Sequence, residues 1–133
     1  MPIQTVLPVQ IRFCDVDALG HVNTAVYLSY FELARMDLFR KAGLTIDWST
    51  IGIILARIEI DYLLPLKMND EIQIECKSGK TGYKSFELHY EIMRWKEDRK
   101  EIVCRGKSVQ VCFDYSKHCS VPLPDSWKHV LAG

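Results

Sequence analysis

The stretch CDVDALGHVNTAVYLSYFE, Cys14 to Glu32, gathers groups that can do chemistry. Asp15 and Asp17 flank a valine, Gly20, His21 and Asn23 follow, and the chain then turns almost wholly apolar. Carboxylates so placed can hold a metal, cap a helix, or act as base or nucleophile at its end. A histidine beside them can move protons near neutral pH.

The metal reading fails on spacing. Asp15, Asp17 and Gly20 fit the first, third and sixth places of a calcium loop, but Leu19 and Val26 fall where oxygen ligands belong. A D-x-D after a strand also occurs in aspartyl-phosphate phosphatases, which need a larger α/β domain with further acid and lysine motifs. Two readings stay open on the residues alone. Capping accounts for Asn23 and for Asp15, since such side chains satisfy free N–H groups at the positive end of a helix. It accounts poorly for Asp17, several residues upstream with Gly20 between, where glycine allows a positive φ or a close approach. An active site at the helix end is the other reading, and spacing alone does not choose between them.

The elements that position these groups can be read from the hydrophobic period. Residues 6–14 form a first strand. From Ala25 to Phe39 only Ser29, Glu32, Arg35 and Asp37 interrupt the apolar run, so this helix is buried on most sides. Asn23 or Thr24 supplies its N-cap, Arg40 and Lys41 suit its C-terminal dipole, and Gly43 ends it. Glu32 and Arg35 stand three apart and pair on that helix. A connection around TIDWST leads to strands of period two at 54–64, 71–77 and 86–92, each with one wet face, which favours antiparallel pairing. A long strand follows at 101–115, with Gly106 as a bulge or bend. The turns are LPLKMND, SGKTG and KEDRK, and PDSWKHVLA forms a short terminal helix.

One buried helix and a long sheet that must curl around it exclude the doubly wound folds. The fold class is α+β, in one domain over residues 1–133. Such a sheet leaves an open edge, and pairing with a second copy would remove it.

Composition narrows the functions. The 133 residues carry 17 Lys plus Arg and 17 Asp plus Glu, so general nucleic-acid binding is disfavoured, although a local basic patch for phosphates remains available. The start MPIQTVLPVQIRF lacks the pattern of a signal peptide, and no apolar run of about 18 residues predicts a membrane span. The five cysteines include no C-x-x-C and read mostly as small core residues; unpaired thiols fit a reducing cytoplasm. No Ser or Cys stands in a G-x-S-x-G or Cys/His setting, which disfavours a serine or cysteine hydrolase. His89 falls on a polar strand face and needs no function.

The segment RFCDVDALGHVNTAVYLSYFELAR closely resembles the opening motif of hotdog-fold acyl-CoA thioesterases of the 4-hydroxybenzoyl-CoA thioesterase type. The element order, the KSFELHYEI strand and the late LP turn extend the resemblance over nearly the whole chain. It implies a hotdog fold, a long antiparallel sheet wrapped around one central helix, assembled as a homodimer or as a homotetramer built of two dimers. It implies acyl-CoA as substrate and thioester hydrolysis as reaction. Asp17 is then the catalytic carboxylate, acting as general base or nucleophile, and the backbone N–H at Thr24 is the oxyanion donor. A thioester is reactive enough that neither route needs a metal or cofactor. Lys84 and Ser85 match the strand near the coenzyme A entrance, and Lys84 either meets a phosphate there or is a solvated strand-end lysine. Tyr27 and Tyr30 pack or line an acyl channel.

The GHVN segment departs from the hydroxybenzoyl type, which carries apolar or aromatic residues after the glycine. His21 and Asn23 look like those of relatives acting on other acyl chains, so the aromatic substrate is not transferred. His21 orders the loop through hydrogen bonds to backbone, or serves as base in the rival reaction, hydration or dehydration of an acyl thioester. The non-enzymatic rival is an acyl-CoA-binding sensor, which would need a separate DNA-binding segment.

Overall fold

The computed structural model describes residues 3–44, 46 and 49–132. Strand β1 (Gln4–Val9) leads through a single 3-10 turn at Phe13–Asp15 to helix α1 (Val26–Ala42). Strands β2 (Ile51–Tyr62), β3 (Glu71–Thr81), β4 (Ser85–Lys96) and β5 (Arg99–Asp114) follow, then a two-residue β6 (Cys119–Ser120) and helix α2 (Asp125–Leu131). The pairing is antiparallel in the order β1-β3-β4-β5-β2, with β6 on the end of β5. This is the hotdog arrangement.

The core forms where α1 lies on the sheet. Phe31, Ala34 and Leu38 are almost wholly buried, and Leu88, Tyr90 and Ile92 of β4 meet them from below. Each such large apolar side chain contributes about 2 kcal/mol by leaving water. Glu87, His89 and Glu91 alternate with those β4 residues on the outer face, which is the period-two pattern in three dimensions. The Phe31 ring stacks on Tyr90 with centroids 4.4 Å apart. A Cβ on Gly106 would collide with that ring. Gly106 is therefore a site of close approach and not the expected bulge, since its pairing with Tyr90 and Ile60 is regular. The irregularities in the sheet fall instead between Leu55 and Arg57, between Ile92 and Met93 and between Ser78 and Thr81.

Three other expectations shift. The first strand ends at Val9 and not at residue 14, because the Asp15 carboxylate draws the Arg12 N–H back at 2.9 Å and winds the chain into the 3-10 turn. Neither Asn23 nor Thr24 occupies the N-cap, which falls at Ala25; the Asn23 Oδ1 instead accepts the Ala25 N–H at 2.9 Å, just ahead of the helix. Strand β3 runs on to Thr81, so most of SGKTG is strand and the turn shrinks to residues 82–84. The C-terminal glycine is as expected: Gly43 sits at φ 74°, and its N–H reaches the Arg40 carbonyl. Within TIDWST, Thr45, Asp47 and Trp48 lie outside the described residues.

Glu32 and Arg35 approach only to 4.0 Å. The firmer partner of Arg35 is the buried Tyr90 hydroxyl, 3.0 Å away.

Strands β1 and β2 are the edges of the sheet. On and just beyond β2, Ile54, Leu55, Tyr62 and Leu63 are each at least 40% exposed, and Leu33 and Met36 of α1 are similarly bare. Among the described residues no helix is long and apolar enough to cross a membrane.

Candidate active site

The loop before α1 explains why Asp17 stands upstream of the helix. An isolated bridge pairs Val16 with Val22 and closes the segment between them. Gly20, at φ 82°, supplies the left-handed turn inside it. The Asp17 N–H donates to the His21 carbonyl at 2.8 Å, and the Gly20 N–H donates to the Asp17 carbonyl at 3.0 Å. The Asp17 side chain helps to hold its own loop: Oδ1 accepts the N–H of Leu19 at 2.9 Å and of His21 at 3.2 Å. Its second oxygen meets no donor among the described residues.

Asp15 does different work. It is 1% exposed, and its carboxylate accepts the Arg12 N–H, the Arg12 guanidinium at 3.0 Å and the Tyr30 hydroxyl at 2.8 Å. Burial pushes its pKa up, but the hydrogen bonds from the Arg12 backbone and guanidinium and from Tyr30 outweigh it, and the net shift is downward. Burial, followed by the bond to Asp15, pushes the Tyr30 hydroxyl up. Asp15 is thus a buried anchor that caps the 3-10 turn and not α1, and Tyr30 belongs to that anchor.

The amides around Thr24 are nearly all used. Val22 donates to Leu66, Asn23 to the Asp15 carbonyl, Ala25 to the Asn23 side chain and Val26 to the Asn23 carbonyl. The Thr24 N–H has no acceptor among the described residues. It sits at the positive end of a 17-residue helix, where a developing oxyanion is stabilised.

A cavity of about 300 Å³ joins these groups. Asp17, His21, Thr24 and Tyr27 line one side, and the segment from Tyr62 to Pro65 forms the other. Two clefts of similar size lie along α1 beside Arg35 and beside Tyr30, and neither contains the helix-end amide. The His21 imidazole has no hydrogen-bond partner among the described residues; its backbone orders the loop. Asn23 is placed by its bond to Ala25 and does not line the cavity. Lys84 and Ser85 stand elsewhere in the chain. Ser85 lies opposite Val111, which lies opposite Ile54, at the far end of β2 from Tyr62. Lys84 donates there to the Ser120 carbonyl at 3.3 Å.

The apolar wall at Tyr62–Pro65 is what the sequence reading missed. Its one signal was the DYLLP run, where alternation breaks and a proline closes the strand.

A long antiparallel sheet wrapped on one helix defines the hotdog fold, and a carboxylate oxygen without a donor and an unbonded amide lie at that helix's start. The chain belongs to the Thioesterase-like superfamily, whose family model matches residues 11–131. It is 30% identical over 125 residues to a 1,4-dihydroxy-2-naphthoyl-CoA hydrolase of Microcystis aeruginosa, covering 91% of this chain and 88% of that one. It is 30% identical over 82 residues to the uncharacterized protein YsmA of Bacillus subtilis, covering 62% of this chain and only 56% of that one. Its fold superposes on a 4-hydroxybenzoyl CoA thioesterase mutant complexed with 4-hydroxybenzoyl CoA at a TM-score of 0.89, with 17% identity over 97% of this chain and 99% of that one.

Proposed function

We propose that this chain hydrolyses an acyl-CoA thioester to the free acid and coenzyme A. The observation that carries the reading is the unbonded Thr24 amide in one cavity with the half-free carboxylate of Asp17. The thioester oxygen takes the Thr24 N–H, and the carbonyl carbon faces Asp17. The free Asp17 oxygen either attacks that carbon or removes a proton from an attacking water. The C–S bond breaks and the sulfur leaves as thiolate and is protonated; water supplies the hydroxyl of the acid, directly on the base route, or by opening the acyl–aspartate anhydride and restoring the Asp17 carboxylate on the nucleophilic route. Tyr27 and the apolar wall beyond Tyr62 receive the acyl group; Asn23 orders the helix start. The reaction takes place in the cytoplasm, where the buried, unpaired Cys76, Cys104 and Cys112 stay reduced.

The working unit is a homodimer, or a homotetramer of two dimers. The bare apolar edge of β2 and the neighbouring face of α1 support this, because a second copy across a two-fold axis would cover both. Two-fold antiparallel pairing along β2 sets the start of one strand beside the end of the other. The Lys84–Ser85 end of one copy then approaches the Asp17 cavity of the other, where Lys84 meets a phosphate of coenzyme A.

Free-thiol release from a panel of acyl-CoAs tests the reading, and its absence from every member sinks it in favour of an acyl-CoA-binding protein. The unpartnered His21 imidazole supports a second reading, hydration or dehydration of the acyl chain with His21 as base. Conversion of 3-hydroxyacyl-CoA to an enoyl product without thiol release would establish that one. His21→Gln retains much of the thioesterase rate on the first reading and abolishes the reaction on the second.

A further inference from the structure

Two peptide planes meet at Thr24, and both are held. The plane carrying the Thr24 N–H also carries the Asn23 carbonyl, which accepts Val26 N–H at 2.9 Å; in a trans peptide the two groups point in opposite directions, so the Thr24 N–H is turned away from the helix. The next plane carries the Ala25 N–H, bound by the Asn23 side chain, and the Thr24 carbonyl. That carbonyl would ordinarily take the Leu28 N–H, but Leu28 donates to Ala25 instead at 3.3 Å. Its partner is the Tyr62 hydroxyl, at 2.7 Å. Asn23 clamps the helix start from within the segment, whereas Tyr62 reaches it from the end of β2, 38 residues away.

Tyr62 is well placed to hold. Its ring stands edge-on to Tyr27, with centroids 4.9 Å apart and an interplanar angle of 83°, and both rings line the cavity. Burial, then a nearby cysteine, raises its pKa, which keeps the hydroxyl a donor at neutral pH.

We propose that Tyr62 is the positioning residue for the oxyanion donor, fixing the Thr24 peptide through its carbonyl so that the Thr24 N–H aims at the reacting oxygen. This rests on the reading that Thr24 receives the thioester carbonyl. The Tyr62 hydroxyl is spent on the Thr24 carbonyl, so it acts through Thr24. An amide aimed wrongly binds the ground state nearly as well and the transition state less well, so the loss falls on kcat. It is smaller than deleting an oxyanion donor, which costs about 10²–10³ in rate.

The test pairs kinetics with the vibrational spectrum of bound substrate. Tyr62→Phe keeps the ring and Tyr62→Met fills similar space; both lack the hydroxyl. Each should lower kcat about tenfold; Tyr62→Phe, which keeps the cavity-lining ring, should hold KM within about twofold and bind a thioether analogue of acyl-CoA, which lacks the thioester carbonyl, as well as the unaltered protein does. With Asp17→Asn as a slow-turnover background, Tyr62→Phe should move the bound thioester C=O stretch back toward its value in free acyl-CoA. Unaltered kcat, or a loss confined to KM with the stretch unmoved, overturns the inference. Failure of the underlying reading looks different: Asp17→Asn itself turns over at the full rate, or the bound stretch already equals the free value with Tyr62 intact.

Discussion

The Tyr30 hydroxyl donates to the Asp15 carboxylate at 2.8 Å, 15 residues away in sequence and fully inside the molecule. That bond ties the loop before α1 to the first turns of that helix. Removing the charge should therefore cost folding more than chemistry. Asp15→Asn should lower the unfolding free energy by about 2 kcal/mol, the scale of a hydrogen bond to a charged group, and Tyr30→Phe by somewhat less. Urea unfolding with an unchanged m-value measures both. A stable Asp15→Asn protein with no activity would give Asp15 a chemical role instead.

Asp17 is exposed and holds only its own loop, so its change should do the opposite. Asp17→Asn keeps the size and the acceptor oxygen but removes base and nucleophile. A fall in kcat of at least about 10²-fold is expected, with the melting temperature nearly unchanged. Near-normal thiol release by the purified variant would exclude Asp17 from catalysis.

Lys84 should matter through the coenzyme alone. Lys84→Ala should raise KM for acyl-CoA and leave kcat nearly intact, the pattern of lost uniform binding at a screened surface contact. A short thioester without the nucleotide should be hydrolysed as before. Equal losses on both substrates would assign Lys84 to structure or chemistry.

The bare β2 edge predicts how assembly can be broken. Leu55 is 44% exposed on that strand, and Leu55→Glu in both copies would set two like charges near the seam. Sedimentation should show the variant shifted to monomer with most activity lost. A fully active monomer would remove the shared-site arrangement.

Acid should loosen the anchor between α1 and β1. The Asp37 carboxylate accepts the Thr5 hydroxyl at 2.6 Å and pairs with Arg40 at 2.6 Å and Lys41 at 3.1 Å. The Thr5 hydrogen bond, working against burial and with Lys41 and Arg40, brings its pKa down to about 2. A pKa lower in the folded state gives stability that is present above the unfolded value of about 4 and lost as pH falls through the folded one. The melting temperature should therefore drop between about pH 4 and pH 2, and Asp37→Asn should flatten that drop. An unchanged acid limb in the variant would place the acid-sensitive groups elsewhere.

The hydrophobic period alone determined the buried helix, the strands of one wet face and the α+β class, because burial on one face is written in residue spacing; the hotdog fold came from the resemblance of the segment around Asp15 and Asp17. The D-x-D-x-x-G spacing singled out the loop, since only a glycine there takes the positive φ that lets Asp17 turn back on His21. Spacing could not separate the roles of the two acids. That depended on Tyr30, on the path of Arg12, and on which carboxylate the fold buries. Nor could it show that the Thr24 amide is left unbonded, because this depends on four neighbouring amides finding acceptors as far away as Asp15 and Leu66. Tyr62 read as one more alternating strand residue. Its bond to Thr24 exists because the end of β2 is brought beside the start of α1, and contacts of that kind are set by the packing of whole elements.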